Sequence, residues 1–128
     1  MMVAGIGSRK GVSVEDVLAA IETALEMHGL SMTALSALAT PALKKDEDAI
    51  AAAGRALNLP VIIVDDAALL AASPRTLSSS SLSQKLAGTP SVSEASALAA
   101  AGAGAKLLGP RTVLGPVTCA IAISGDAE

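Results

Sequence analysis

The chain has 128 residues, of which 52% are hydrophobic, 16% are charged and none is aromatic, and its net charge is −3 at pH 7. This composition predicts a globular chain, long enough for one domain with a sizeable core. It excludes aromatic stacking of nucleobases and a basic binding footprint, so we expect no nucleic-acid partner. Charges or prolines interrupt every apolar run, so we expect no membrane partner. Without a signal peptide, the chain is predicted to be cytoplasmic.

Cysteine and histidine each occur once, as Cys119 and His28. An intrachain disulfide is therefore excluded, and one residue of each type cannot build a zinc site without carboxylates at suitable spacing. We expect no metal and no other cofactor. Cys119 lies in a continuous apolar run, which favours a buried thiol over a nucleophile. His28 ends an apolar helical stripe, which is typical of a histidine in a last turn.

The first predicted element is a short apolar strand that enters a glycine-rich loop. Gly5 and Gly7 are followed by Arg9 and Lys10, then by Gly11. A glycine loop between a strand and a helix N-terminus can hold an anion, because backbone N–H groups and the helix dipole both favour negative charge. The alternative is a tight connection with two solvated cations. The spacing is not the dinucleotide fingerprint, because Lys10 stands where the third glycine belongs.

Helical spacing of apolar residues predicts a first helix that begins at the N-cap Ser13 and ends before Gly29. Residues 31–39 are predicted as a second strand, broken by Thr40 and Pro41. A second helix is predicted from residue 43 to Asn58. Its first turn carries Lys44 and Glu47, which are either site residues or a solvated surface pair.

Residues 59–64 are continuously apolar and β-branched, which predicts a strand buried on both faces. A short helix follows, capped by Asp65 or Asp66 and ended by Pro74, before a polar loop at residues 73–81. Further predicted elements are a short helix at 82–86, an alanine-rich helix at about 93–101, and strands at 106–108 and 117–123. The last two are expected to form an antiparallel pair because the connection is short. Ser91 and Glu94 match a helix capping box.

This alternation predicts an α/β fold, a three-layer α/β/α sandwich with a mostly parallel, mixed sheet and an antiparallel pair near the C-terminus. Ligands of such sheets bind beyond the carboxyl ends of the strands. We therefore expect residues 5–11, 40–47 and 91–94 to share one edge of the sheet.

Five motifs occur in order along nearly the whole chain: Gly5-Ile6-Gly7-x-Arg9-x-Gly11-Val12, Lys44-x-x-Glu47, Leu59-Pro60, Gly88-Thr89-Pro90-Ser91-Val92-x-Glu94-Ala95-x-Ala97-Leu98 and Val117-Thr118-x-Ala120-Ile121-Ala122. Together they resemble the cobalamin-biosynthesis family that comprises CobE and the C-terminal domain of CbiG. Two positions depart from the family pattern. Ser8 stands where the family often has cysteine, and Pro41-Ala42-Leu43 stand where it often has aspartate.

The resemblance implies a role in cobalamin synthesis, as a single domain over residues 1–128. The CbiG type is linked to opening the lactone ring of a cobalt-precorrin and carries extra domains, so this chain is more similar to the stand-alone CobE type. Precorrins are apolar macrocycles edged with acetate and propionate carboxylates, which basic groups and helix N-termini suit. The resemblance and the loop chemistry together predict these substrate-binding residues: Gly5, Gly7, Ser8, Arg9, Lys10, Gly11, Thr40, Lys44, Glu47, Ser91, Ser93, Glu94 and Thr118.

Three functions remain open from the residues themselves. The first is binding of a precorrin or corrin intermediate, as a carrier or an enzyme. The second is docking on another enzyme of the pathway, without a site in this chain. The third is a hydrolase that acts on a precorrin lactone, with Glu94 as a weak candidate for proton transfer and Ser8, Ser91 or Thr118 as candidate hydroxyls. A Ser-His arrangement is not expected, because His28 lies at the far end of the first helix.

Overall fold

The computed structural model describes residues 1–8, 11–41, 48–72, 92–102, 104–109 and 111–124. These residues form six strands, four α-helices and one 3-10 turn at Met32–Ala34. The strands are β1 (Met2–Ser8), β2 (Ala37–Pro41), β3 (Val61–Val64), β4 (Lys106–Leu107), β5 (Thr112–Leu114) and β6 (Val117–Ile123). The helices are α1 (Val14–Met27), α2 (Asp48–Leu57), α3 (Asp66–Ala72) and α4 (Val92–Ala101). None of these helices has the length and apolar character needed to cross a membrane.

The strands form one mixed sheet in the order β3-β2-β1-β6-β4, with β5 also paired to β6. Strands β1, β2 and β3 are parallel, whereas β6 is antiparallel to β1, β4 and β5. Strand β6 therefore runs against the other five described strands. The predicted fold class and the predicted antiparallel pair of β4 with β6 are both confirmed.

Helices cover both faces of the sheet and create two separate cores. Side chains alternate between the faces along each strand, so Val3 and Ala4 of β1 belong to different cores. Helices α1 and α2 pack on Ile6, Leu38 and Ile121 of the first face. On the second face, α3 and α4 pack on a layer made mostly of alanine: Ala37, Ala39, Ala72, Ala95, Ala97, Ala101, Ala105 and Ala122.

Local signals fix the helix ends as the sequence predicts. The Ser13 side chain accepts a hydrogen bond from the Asp16 N–H, and the Asp16 carboxylate accepts one from the Ser13 N–H, so α1 begins with a capping box. It ends at Met27, His28 is its C-cap, and Gly29 follows with φ +69°. Asp65 caps α3 by accepting a bond of 2.9 Å from the Ala68 N–H.

The strand predictions for β2 and β3 are wrong in part. Strand β2 begins at Ala37, after the 3-10 turn, and it includes Thr40 and Pro41, which pair with Ile63 and Val64 of β3. Proline is tolerated there because the pairing of β2 with β1 ends at Ala39, so its missing N–H removes no ladder bond on that side. Strand β3 was predicted to be buried on both faces, yet it lies at an end of the described strand order and Ile63 is 46% exposed.

Strand β5 was not predicted, because residues 112–114 lie in what the sequence indicated was a loop. It forms a hairpin with β6 through Gly115 and Pro116. Gly115 has φ +59°, and the ring of Pro116 holds φ near −65°. A positive φ at only the first of two turn residues is typical of the type II′ turn, which matches the twist of paired strands. The predicted loop at 73–81, the helix at 82–86 and the helix end at Pro74 lie outside the described residues.

Candidate functional site

Strands β1, β2 and β3 all end at one edge of the sheet, which we call the carboxyl edge. It contains Ser8, Pro41 and Val64, together with the first residue of β6, Val117, which pairs with Ser8. Helices α1, α3 and α4 begin at the same edge. The predicted site residues that the structure describes are Gly5, Gly7, Ser8, Gly11, Thr40, Ser93, Glu94 and Thr118. The others lie outside the described residues: Arg9, Lys10, Lys44, Glu47 and Ser91.

On the α4 side of the edge, Gly7, Ser93 and Thr118 lie together. Gly7 pairs with Thr118 across β1 and β6, and the Thr118 hydroxyl donates a hydrogen bond of 3.4 Å to the Gly7 carbonyl. A Cβ atom on Gly7 would lie 2.7 Å from Thr118 Oγ1 and 3.9 Å from Ser93 Cβ. The first turn of α4 therefore sits directly over this pair of strands.

Gly5 is required by packing. A Cβ atom at this position would lie 2.1 Å from the Ser93 carbonyl oxygen and 2.7 Å from the Ala97 nitrogen. Both are backbone atoms of α4, so the helix could not approach the sheet this closely over any other residue. This close approach explains the glycine without a ligand, and its predicted role in binding stays a prediction.

Two hydroxyls, those of Ser8 and Thr40, lie on the opposite face of the sheet, under α1 and α2. Ala4 and Leu38 pair across β1 and β2, and both belong to the α1/α2 core. Alternation of side chains places Ser8 and Thr40 on the same face. Within the described part of the chain, both hydroxyl oxygens are buried and have no hydrogen-bond partner.

A third buried hydroxyl without a partner among the described residues is that of Ser96, on α4. A buried hydroxyl without a hydrogen bond costs about 1–3 kcal/mol of stability. Native interiors satisfy the large majority of their polar atoms, so each exception needs a physical reason.

Glu94 is 0% exposed, and its Oε2 accepts a hydrogen bond of 2.8 Å from the Arg111 N–H. The bond ties the first turn of α4 to the residue that precedes β5. The sequence indicated either a cap on Ser91 or a side chain that faces the ligand, and it did not indicate this link. The donor is a backbone N–H 17 residues away, and no residue type in the sequence marks such a donor. The predicted capping box depends on Ser91 and so lies outside the described residues.

Gly11, the last glycine of the predicted anion loop, precedes α1 and has φ +80°. A Cβ atom there would meet nothing within 4 Å, so the position is open. Because only the left-handed backbone demands glycine here, the geometry suits an anion-binding loop and a simple turn equally.

Cys119 and His28 do not form part of a nucleophilic site. The prediction that Cys119 is buried is confirmed, and burial raises its pKa to about 12 because the thiolate is desolvated. His28 follows the last turn of α1 and lies against Gly109. Since α1 spans about 21 Å, His28 is out of reach of Ser8 at the other end of the helix. Among the described residues, no group of three or more His, Cys, Asp or Glu side chains could hold a metal ion.

Exposed aliphatic side chains near the carboxyl edge are a feature that sequence reasoning missed. Val92 begins α4, and Val113 and Leu114 lie on β5; all three are exposed, Val113 by 59%. Val113 pairs with Thr118, and Leu114 pairs with Val117, so the hairpin brings them beside the edge. The Gly115-Pro116 turn was the available signal for this hairpin.

Comparisons with known proteins place this fold among proteins of cobalamin synthesis. The family model "Cobalamin synthesis G C-terminus" matches residues 2–122. The structure of CobE, a protein from the cobalamin biosynthetic pathway, is 38% identical with a TM-score of 0.87, over 95% of this chain and 89% of CobE. The cobalamin biosynthesis protein chiG from Agrobacterium tumefaciens is 44% identical with a TM-score of 0.79, over 98% of this chain and 100% of its own. No curated protein sequence matches the chain.

Proposed function

Because the chain belongs to the cobalamin-biosynthesis family of CobE and the CbiG C-terminal domain, we propose that it binds a polycarboxylate precorrin or corrin intermediate at the carboxyl edge. It acts on this ligand as a carrier or as an accessory enzyme of the pathway. Such intermediates combine an apolar macrocycle with acetate and propionate carboxylates. A binding site for them needs an apolar surface and groups that stabilise several negative charges.

The observation that carries the proposal is the convergence of candidate residues at the carboxyl edge. Ser8 and Thr40 reach it on one face of the sheet, and Ser93 and Thr118 reach it on the other. Helices α1 and α4, which are 14 and 10 residues long, both begin there. Their N-terminal dipoles favour negative charge at the place where hydroxyl donors gather.

Cationic side chains enter the chain directly after strands that end at this edge. Arg9 and Lys10 follow β1 in sequence, and Lys44 follows β2 by three residues. Charge-assisted hydrogen bonds from such groups to carboxylates are about twice as strong as neutral ones. The exposed side chains of Val92, Val113 and Leu114 supply an apolar surface beside the same edge.

The described residues favour binding over hydrolysis by this chain alone. Glu94 is fully buried and bonded to the Arg111 N–H, Cys119 is held as the neutral thiol, and His28 lies at the far end of α1. A neutral thiol and a histidine at the far end of α1 cannot serve Ser8 as the general base that hydrolysis needs.

The proposal is tested by titration with cobyrinic acid, a stable corrin that carries the same acetate and propionate groups. Binding is measured from the change in corrin absorbance. We expect saturable binding that weakens as salt is raised, because charges contribute to it. The variant R9A/K10A should bind more weakly. The matched control is R55A/K106A, which removes the same charge from exposed positions at the opposite edge.

Two results would count against this account. If the wild type does not bind the corrin, the proposed function is wrong. If R9A/K10A binds as tightly as the wild type and the control, the glycine loop is only a connection between β1 and α1.

A further inference from the structure

We infer that the hydroxyls of Ser8 and Thr40 together hold one carboxylate group of the ligand, on the α1/α2 side of the carboxyl edge. This inference rests on the proposed function. Beyond that function, it specifies the face of the sheet on which the ligand binds and the chemical group of the ligand that is recognised there.

The first observation is that both hydroxyl oxygens are buried without a partner among the described residues. Thr40 as a whole is 1% exposed. Hydroxyls in such surroundings are normally bonded to protein or to ordered water. A ligand carboxylate that bonds to both would remove two unfavourable features of the ligand-free fold at once.

The second observation is that the two residues lie on adjacent strands and on the same face of the sheet. The paired residues of β1 and β2 end at Gly5 and Ala39, and Thr40 is the next residue of β2. Regular strand spacing continued from Gly5 and Ala39 corresponds to a separation of about 8 Å between the Cα atoms of Ser8 and Thr40. A carboxylate group can bridge two hydroxyls at this separation, since each O–H···O⁻ bond spans about 2.6 Å and its own oxygens are separated.

The start of α1 and the sequence that follows Ser8 favour an anion over a neutral oxygen. Helix α1 begins six residues after the end of β1, with its N-terminus toward the carboxyl edge, and Arg9 and Lys10 directly follow Ser8 in sequence. A hydroxyl can donate to any oxygen, but the bond to a carboxylate is the shorter and stronger one. Acetate and propionate side groups of a corrin are therefore the matching chemistry.

Ser96 provides an internal control. Its hydroxyl is as buried as those of Ser8 and Thr40 and is likewise without a partner among the described residues. It belongs to α4, one turn away from the helix start, and α4 covers the opposite face of the sheet. Loss of the Ser96 hydroxyl should affect folding in the same direction and leave ligand binding unchanged.

Burial of the two oxygens has a consequence for the binding process. Neither Ser8 Oγ nor Thr40 Oγ1 touches solvent in the ligand-free fold. A substitution that removes an unbonded hydroxyl favours the ligand-free fold and also removes a ligand contact. Stability without ligand and affinity for ligand should therefore change in opposite directions.

The experiment compares the melting temperature and the cobyrinic acid affinity of S8A, T40V, T40S and S96A with those of the wild type. Without ligand, we expect S8A, T40V and S96A to melt at the same temperature as the wild type or higher. S8A and T40V should bind cobyrinic acid about tenfold more weakly, which corresponds to 1.4 kcal/mol. T40S, which keeps the hydroxyl, and S96A should bind as the wild type does.

The fully methylated ester of cobyrinic acid tests the chemical group. It keeps the macrocycle and removes the negative charges, so S8A, T40V and the wild type should bind it equally. If the two variants lose affinity for acid and ester alike, recognition of a carboxylate is wrong.

Failure of this inference differs from failure of the proposed function. If the wild type binds the acid and both S8A and T40V bind it equally well, the hydroxyl pair is not a ligand site, whereas the proposed function stands. If the wild type binds no corrin, both are overturned. Should T40V fail to fold, the affinity of S8A against that of S96A decides the outcome.

Discussion

The two faces of the sheet are built from different side chains, and the helices pack on them in different ways. The α1/α2 face buries large aliphatic residues, including Ile21, Leu25 and Ile50, which fill the interface between helices and strands. The α3/α4 face is mostly alanine, and there Gly5 lets the backbone of α4 touch the strand. Large aliphatic side chains therefore fill the interface of the sheet with α1 and α2, whereas glycine and alanine allow α4 to pack closely on the other face.

The two faces also differ in which polar groups are bonded. Backbone contact at Gly5 leaves no room for a side chain between α4 and the middle of β1. On the other side, the hydroxyls of Ser8 and Thr40 remain without partners among the described residues. A tightly packed face stabilises the fold, whereas an incompletely satisfied edge is where binding free energy is available.

The largest expected effect comes from Gly5→Ala, which forces a Cβ atom against the Ser93 carbonyl and the Ala97 nitrogen. Neither backbone atom can turn away, so we expect a loss of about 3 kcal/mol or more in the free energy of unfolding. Urea unfolding measures this loss.

Gly7→Ala is the matched control, on the same strand and the same face. Its Cβ atom would meet the Thr118 hydroxyl, which can rotate, so we expect a loss of about 1 kcal/mol. The double variant Gly7→Ala with Thr118→Ala should recover part of that loss. Equal losses for Gly5→Ala and Gly7→Ala would contradict the close contact of α4 with the sheet.

Glu94→Ala should have the next largest effect, because it removes the acceptor of the Arg111 N–H. We expect a loss of about 2 kcal/mol, as for a buried donor left without a partner. Glu94→Gln keeps an oxygen at the same position and should lose about 1 kcal/mol or less. Thermal melting and cobyrinic acid affinity, measured side by side for both variants, check this.

The Glu94→Gln result also separates a structural role from a role in binding. If its melting temperature is close to that of the wild type while affinity falls, Glu94 contacts the ligand as the sequence predicted. If melting and affinity both stay unchanged, the glutamate serves the fold alone.

The smallest effect concerns the pH dependence of the α1/α2 core through Cys119. Its pKa rises from 9.0 to about 12 on burial, so the folded state keeps a proton that the unfolded state loses. The corresponding stability is fully present below pH 9 and is lost as pH rises towards 12. Relative to pH 7, the wild type should lose about 1.4 kcal/mol more than C119A at pH 10. If urea unfolding shows the same loss of stability for the wild type and C119A between pH 7 and pH 10, the burial of this thiol is contradicted.

Much of the fold could be predicted because its signals are local. Capping at Ser13 and Asp65 and the left-handed glycine at position 29 each depend on a few neighbouring residues. The limits of β2 were missed because an alanine-rich segment has no clear periodicity. The exposed side of β3 was missed because position in a sheet depends on which strands pair, and an apolar run does not encode that.

The site could be predicted in location and not in detail. Strand ends and glycines indicated the carboxyl edge, but the sequence could not show that Gly5 faces a helix backbone or that Ser8 and Thr40 lie without partners. Both facts depend on the pairing of distant segments. The link from Glu94 to Arg111 uses a backbone donor, which every residue except proline provides, so no residue type marks it.

The most direct test of the central claim is to map where a corrin binds, by NMR of the backbone amides of this 12.5 kDa protein during titration with cobyrinic acid. The account predicts that the largest shifts occur at the carboxyl edge, at Ser8, Gly11, Thr40 and Val117. Residues of the opposite edge, such as Gly29 and Gly102, should stay unchanged. Largest shifts at Gly29 and Gly102, with Ser8 and Thr40 unaffected, would contradict it.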